Sequence, residues 1–120
     1  MNAESLADEW SDRFDLVTCV WVFHELPREA QELVTAELSR VLKPGGRLVF
    51  MDSLQWSKDA PDLFAMMGGR SIFGEVFNEP HMASYLETDL EQLFAGHKLQ
   101  VQGIHRWFKS KVIVAEKTSA

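Results

Sequence analysis

The chain has 120 residues, 46% hydrophobic and 25% charged, which suits one globular domain burying roughly two thirds of its unfolded surface and excludes a disordered chain. Its net charge of −6, with Lys and Arg scattered along the sequence, argues against a nucleic-acid backbone as partner. No apolar run approaches the roughly 20 residues of a membrane span and no basic-then-apolar leader opens the chain, so a cytoplasmic setting is expected; the lone Cys19 excludes an internal disulfide and a thiolate metal cluster.

Taken in order, MNAESLADEWSDR is a polar lead-in with enough helix formers for a short helical turn. Residues 15–23 predict a strand in which seven of nine positions are apolar (Leu16, Val17, Cys19, Val20, Trp21, Val22, Phe23) without alternation, so cover is expected on both faces. Cys19 reads there as a small core residue. Pro27 suits a first helical turn, and Ala30, Leu33, Val34, Leu38 and Val41 recur at helical spacing after it. Arg40 and Lys43 at the far end offset the helix dipole. Pro44, Gly45 and Gly46 then stop the helix, a glycine taking the left-handed closing conformation. A second buried strand runs from Arg47 to Asp52, and strand, helix and strand make one βαβ unit of a parallel sheet.

Asp59, Pro61 and the run 63–67 predict a short helix ended by Gly68 and Gly69, with Phe64 and the Met pair filling core, and residues 70–80 read as a loop. Thr88 and Glu91 form a T-x-x-E capping box ahead of a helix that presents Leu90, Leu93 and Phe94 on one face and stops at Gly96. Residues 99–107 alternate as an outer strand, Lys109 and Ser110 turn, and residues 111–116 form a buried last strand. So tight a connection implies an antiparallel hairpin.

FDLV, a hydrophobic strand ending in FHELP, a helix closing on RVLKPGG and a strand ending in Asp together resemble the middle of a class I S-adenosylmethionine-dependent methyltransferase of the type-11 or UbiE-like group. The resemblance implies an α/β, Rossmann-like half sheet holding the family's strands in spatial order four, five, seven, six, the last two a hairpin, with flanking helices. It makes residues 1–120 a single partial domain that starts where the family's third strand ends and lacks the glycine-rich N-terminal half. No G-x-G-x-x-G occurs in this sequence. Implied with it are S-adenosylmethionine as cofactor and a small-molecule methyl acceptor. Asn2, Ala3, Glu4 and Leu6 match the family's Asn/Asp-Ala-Glu-x-Leu form, which places Asn2 and Ala3 at the adenine. Cys19, Val20, Phe23 and His24 fall where the family touches the methionine part of the cofactor. Glu79, Pro80 and His81 loosely resemble a loop over the substrate side in part of the group.

Two readings of the His24-Glu25 corner stand side by side: His24 accepts a proton from a substrate hydroxyl or amine, or the pair only caps and orients the following helix. Zinc binding through HExxH is excluded, because the fourth residue after His24 is Arg28. His97 and His105 read as surface residues, and Asp52 as an ordinary strand-end turn, a position from which acids also line pockets. In the family the first strand lies beside residues 15–23, so a chain without it exposes an apolar sheet edge. A homodimer or a complementary chain is the expected cover. Without the glycine turn and a ribose-binding acid the site loses about 5 kcal/mol of hydrogen bonding, so the isolated monomer is expected to bind cofactor poorly. Two functions follow: a methyltransferase completed by a partner or a missing segment, or a cofactor-free binding or dimerisation module.

Overall fold

The computed structural model describes residues 2–55, 59, 62, 66, 85–86, 88–107 and 110–119. Strand β1 (Phe14–Val20) leads through a 3-10 turn at Phe23–Glu25 into helix α1 (Arg28–Val41) and strand β2 (Leu42–Ser53). Helix α2 (Leu90–Ala95) precedes the hairpin of β3 (Leu99–Trp107) and β4 (Ser110–Lys117). The sheet order is β1-β2-β4-β3, with β1 parallel to β2 and β4 antiparallel to both of its neighbours. This is the order four, five, seven, six that the family resemblance implies.

Both helices pack on one face of the sheet. Val34 and Leu38 of α1 and Leu90, Leu93 and Phe94 of α2 close over Cys19, Leu48, Phe50, Leu99 and Ile113. At the centre the rings of Phe23, Phe50 and Phe94 meet edge to face, with centroids 5.0 to 6.4 Å apart. Among the described residues no helix is long and apolar enough to cross a membrane.

β1 departs from the expectation of cover on both faces. Only Cys19 in it is buried, while Leu16 is 58% and Val20 49% exposed. The reason is topological: β1 is an edge strand of this sheet, and the helices cover only the face to which Val17 and Cys19 point. The strand also ends at Val20 rather than residue 23. Trp21 donates its N–H to Met51 O (2.8 Å) as the last rung and takes φ +55, a left-handed conformation that turns the chain out of the sheet and is costly for a bulky side chain.

The helix stop is also built differently. α1 ends at Val41, before the proline and glycines, because the residue preceding a proline is driven out of the helical region and carries its neighbour into β2. Gly45, at φ +85, serves a register shift between the pairs Phe14/Leu42 and Leu16/Arg47 rather than a helix cap. Within α1, Leu33 is half-exposed, and the buried stripe runs through Gln31, Thr35 and Ser39, each satisfied by a hydrogen bond. For α2 the cap is Asp89, which accepts from Gln92 N–H (3.0 Å), and Thr88 turns inward instead. The helix ends at Ala95 as expected, but Gly96 is right-handed and Lys98 carries the positive φ.

The lead-in makes a 3-10 turn at Asp8–Trp10 and is tied to α1: Leu6 N–H donates to Glu37 Oε1 (2.7 Å), and Arg40 Nη2 donates to the carbonyls of Leu6 and Ala7. Arg40 thus clamps this segment as well as sitting at the helix end. Asp59, Asp62 and Met66 of the expected short helix are helical, but Met66 is 84% exposed and fills no core. The rest of that helix, Gly68 and Gly69, the loop 70–80, the Glu79-Pro80-His81 match and Lys109 lie outside the described residues.

A Cβ at Gly46 would come within 2.9 Å of Lys43 O and 3.1 Å of Phe14 O, so a side chain there forces β1 and β2 apart. Gly46→Ala is expected to lower stability by about 1–3 kcal/mol, seen as a lower urea midpoint at unchanged slope.

Candidate functional site

Because β1 and β2 run parallel, their C-terminal ends meet at one rim. Val20 pairs with Met51, so the next residue of β2, Asp52, faces the turn that follows β1. The Asp52 side chain is wholly buried there, and its hydrogen bonding is complete. Oδ2 accepts the N–H of Phe23 (2.8 Å) and, more weakly, that of His24 (3.4 Å), while Oδ1 accepts the N–H of Ser53 (2.8 Å) and lies 2.8 Å from His24 Nδ1.

With backbone N–H groups already on both oxygens, the carboxyl acts as an acceptor, which places the imidazole hydrogen on Nδ1 and the ring's lone pair on Nε2. Nε2 lies 3.7 Å from Glu25 Oε1, whose side chain is 71% exposed, while the His24 side chain is only 10% exposed. The Trp21 indole meets the imidazole edge to face at 5.7 Å. Burial raises the Asp52 pKa above the usual carboxylate value, an effect opposed by the Ser53 N–H, by His24 and by the Phe23 N–H. The Cys19 thiol is pushed up to about 12, first by burial and then by the Asp52 charge, so it stays protonated and is no nucleophile.

Four of the residues expected at the cofactor, Cys19, Val20, Phe23 and His24, therefore gather at one rim. Their side chains divide. Cys19 and Phe23 point into the core, Val20 is half-exposed and His24 sits on Asp52. Asn2 and Ala3 form a separate group on the lead-in: Asn2 is exposed and its Oδ1 accepts Glu4 N–H (2.9 Å), while Ala3 packs partly buried against the core. His105 is exposed as expected, and His97 offers its carbonyl to Ser39 Oγ (2.6 Å). Among the described residues no group of His, Cys, Asp and Glu is arranged to hold a metal ion.

The principal functional candidate that sequence reasoning underrated is Asp52. Its signal was present: an acid closing the second of two parallel strands shares a rim with whatever leaves the first. Entirely unforeseen is the buried Asp59. Its carboxylate receives Arg106 Nε (2.6 Å), Lys111 Nζ (3.3 Å) and Gln55 N–H (2.8 Å). Burial works against ionisation of Asp59, but the Arg106 hydrogen bond, the Gln55 N–H and the Lys111 charge outweigh it and hold the carboxyl below the usual carboxylate value.

Over residues 1–50 the sequence matches the family model described as a methyltransferase domain. That stretch, under half of the chain, resembles a class I methyltransferase. No protein of curated function matches the chain by sequence. The fold is shared with a SAM-dependent methyltransferase from Methanosarcina mazei, at TM-score 0.67 and 20% identity over 98% of this chain and 65% of that one. A mutant of the 16S rRNA (adenine(1408)-N(1))-methyltransferase from Catenulisporales acidiphilia is similar at TM-score 0.58 and 16% identity, over 98% of this chain and 56% of that one. The aminoglycoside resistance methyltransferase NpmB1 is similar at TM-score 0.58 and 20% identity, over 97% of this chain and 58% of that one. The chain thus spans 56 to 65% of the length of those solved structures, and over a third of each has no counterpart in it.

Two outcomes test this geometry. Asp52→Ala leaves buried N–H groups and the imidazole without their acceptor and is expected to cost about 3–5 kcal/mol in urea unfolding. For Asp59, whose folded pKa lies below its unfolded value, the stabilisation is fully present above the unfolded value and is lost as pH falls through the folded one. Asp59→Asn is therefore expected to be less stable than wild type at neutral pH, with the gap closing below about pH 4 in urea titrations run across the acid range.

Proposed function

We propose that the chain carries the proton-accepting rim of an S-adenosylmethionine-dependent methyltransferase acting on a small molecule, and that a polypeptide lying along β1 completes its cofactor site. The observation that carries this reading is the His24 Nδ1 to Asp52 Oδ1 contact of 2.8 Å at the C-terminal ends of two adjacent parallel strands, the position where open α/β sheets hold their ligands. The family match over residues 1–50 supports the cofactor class.

The residues present fit one flank of that cofactor. The half-exposed Val20 and Trp21 offer an apolar wall at the rim, and the exposed Asn2 amide offers a polar contact. A G-x-G-x-x-G turn for the remainder is absent from the 120 residues, so tight binding depends on a partner or on a segment outside them. Bound S-adenosylmethionine supplies an electrophilic methyl group on a positively charged sulfur. The chain's own contribution is to orient an acceptor and take its proton. As a hydroxyl or amine forms its bond to carbon, His24 Nε2 receives the hydrogen, and the Asp52 carboxylate steadies the resulting imidazolium through Nδ1–H. The net charge of −6 favours a small acceptor over a nucleic acid, although one solved relative is by name an rRNA methyltransferase.

The partner, a second copy or a complementary chain, has a surface to meet. Among the described residues β1 has one unpaired edge, and the sheet face away from α1 and α2 presents the exposed Leu16 and Val20 beside the half-buried Val49, Met51, Val112 and Val114. The same surface favours a second reading, in which the chain is a cofactor-free assembly module.

Titration calorimetry with S-adenosylhomocysteine, with sedimentation of the same sample, separates the two. Binding that is millimolar for the isolated chain and micromolar once β1 is covered supports the methyltransferase; no binding in either state supports the module. In the completed domain, His24→Gln is expected to lower kcat by about 100-fold or more with cofactor affinity unchanged. A kcat within threefold of wild type rules out the role of His24.

A further inference from the structure

The fold places two glutamines in its interior. Gln31 is 0% and Gln55 1% exposed, and neither belongs to the rim just described. Both spend their amides in the same way. Gln31 Nε2 donates to the carbonyls of Phe23 and Leu26 (both 3.2 Å), the two ends of the turn that carries His24, and its Oε1 accepts from Thr88 Oγ1 (2.8 Å). Gln55 Nε2 donates to the carbonyls of Tyr85 (2.8 Å) and Thr88 (2.5 Å), and its Oε1 accepts from Lys111 Nζ (2.9 Å). Thr88 joins the two, since its hydroxyl serves one glutamine and its carbonyl the other.

The direction of donation is the same at every link. It runs from the Lys111 ammonium to Gln55, from Gln55 to Thr88, from Thr88 to Gln31, and from Gln31 to the His24 turn. Within each glutamine amide a donor on Oε1 strengthens donation from Nε2, and at Gln55 that donor is a cation. That cation is itself fixed: Lys111 also lies 3.3 Å from the Asp59 carboxylate, which Arg106 of β3 holds in turn at 2.6 Å. Such amides are costly to bury unless all partners are present, and here each nitrogen has two acceptors and each oxygen a donor.

We propose that Gln31, Thr88, Gln55 and Lys111 form one polar brace that fixes the Phe23–Leu26 turn against the β3–β4 hairpin, with Gln31 as the positioning residue for the His24 imidazole. The functional weight of the brace rests on the reading of His24 as proton acceptor, but its existence does not. Gln31 touches no reacting atom. It acts through the two carbonyls at the ends of the turn, while Asp52 holds the N–H groups of Phe23 and His24, so the turn is gripped from both sides of its peptide groups.

NMR of the intact chain tests this without any assay of methyl transfer. Gln31→Met keeps the volume and removes the amide; hydrogen exchange at the Phe23 and His24 amides is expected to speed up about tenfold and the His24 Nδ1–H resonance to broaden, with exchange in β4 unchanged. Thr88→Val, nearly isosteric and less disruptive, is expected to move the same signals in the same direction by about threefold, and Gln31→Glu, which cannot donate to the carbonyls, to behave like Gln31→Met. If Thr88→Val and either Gln31 variant leave the His24 signals within error of wild type, the brace is overturned. If the brace responds but His24→Gln keeps full activity in the completed domain, the brace stands and the proton-acceptor reading falls.

Discussion

The structure turns on one buried carboxylate. Asp52 has no exposed surface, so its two oxygens must find donors within the fold, and they find them in the next residue of its own strand, in two successive N–H groups after β1 and in the His24 ring. That demand shapes the corner. The chain leaves β1 with Trp21 in a left-handed conformation, coils into a 3-10 turn, and so brings Phe23 and His24 over the end of β2. Phe23 then drops into the aromatic core against Phe50 and Phe94, which anchors the turn from below. His24 is thus positioned by packing and by charge together.

Among the described residues the fold is one-sided. α1 and α2 lie on one face, and the other face and the β1 edge keep apolar side chains at the surface. A cofactor site at the rim of such a sheet has a wall on one side only. This is why the chemistry of the rim and the completion of the sheet belong to a single question: whatever covers Leu16 and Val20 also stands next to the place where His24 would work. The solved relatives, each with more than a third of its length unmatched by this chain, are built with more material than the sheet described here.

Polar groups are unusually central to this interior. Gln31, Thr35 and Ser39 occupy the inner stripe of α1 while Leu33 is turned outward, and each of the three donates a hydrogen bond to a carbonyl. Satisfied networks of this kind specify geometry more than they add stability, since the alternative of leaving one partner alone is so unfavourable. A site that needs its imidazole in one orientation is served by that specificity.

How much of this was legible in the sequence depends on range. The βαβ unit and the closing hairpin follow from local hydrophobic runs, from Pro27 and Pro44 and from a connection too short for a crossover, all of which act within a few residues, whereas the sheet order was implied only by the family resemblance. The family match rests on the same stretch. One local choice was settled elsewhere: Thr88-x-x-Glu91 reads as the cap, but Asp89 takes that place because Thr88 is drawn inward by Gln31. Exposure of β1 was not legible, because apolar composition reports what a strand prefers and not whether a neighbour is there to cover it. The pairing of His24 with Asp52 joins positions 28 apart in sequence, and Lys111 meets Gln55 across 56. No periodicity carries such information, since only the parallel rim and the folded hairpin bring those groups within hydrogen-bonding distance.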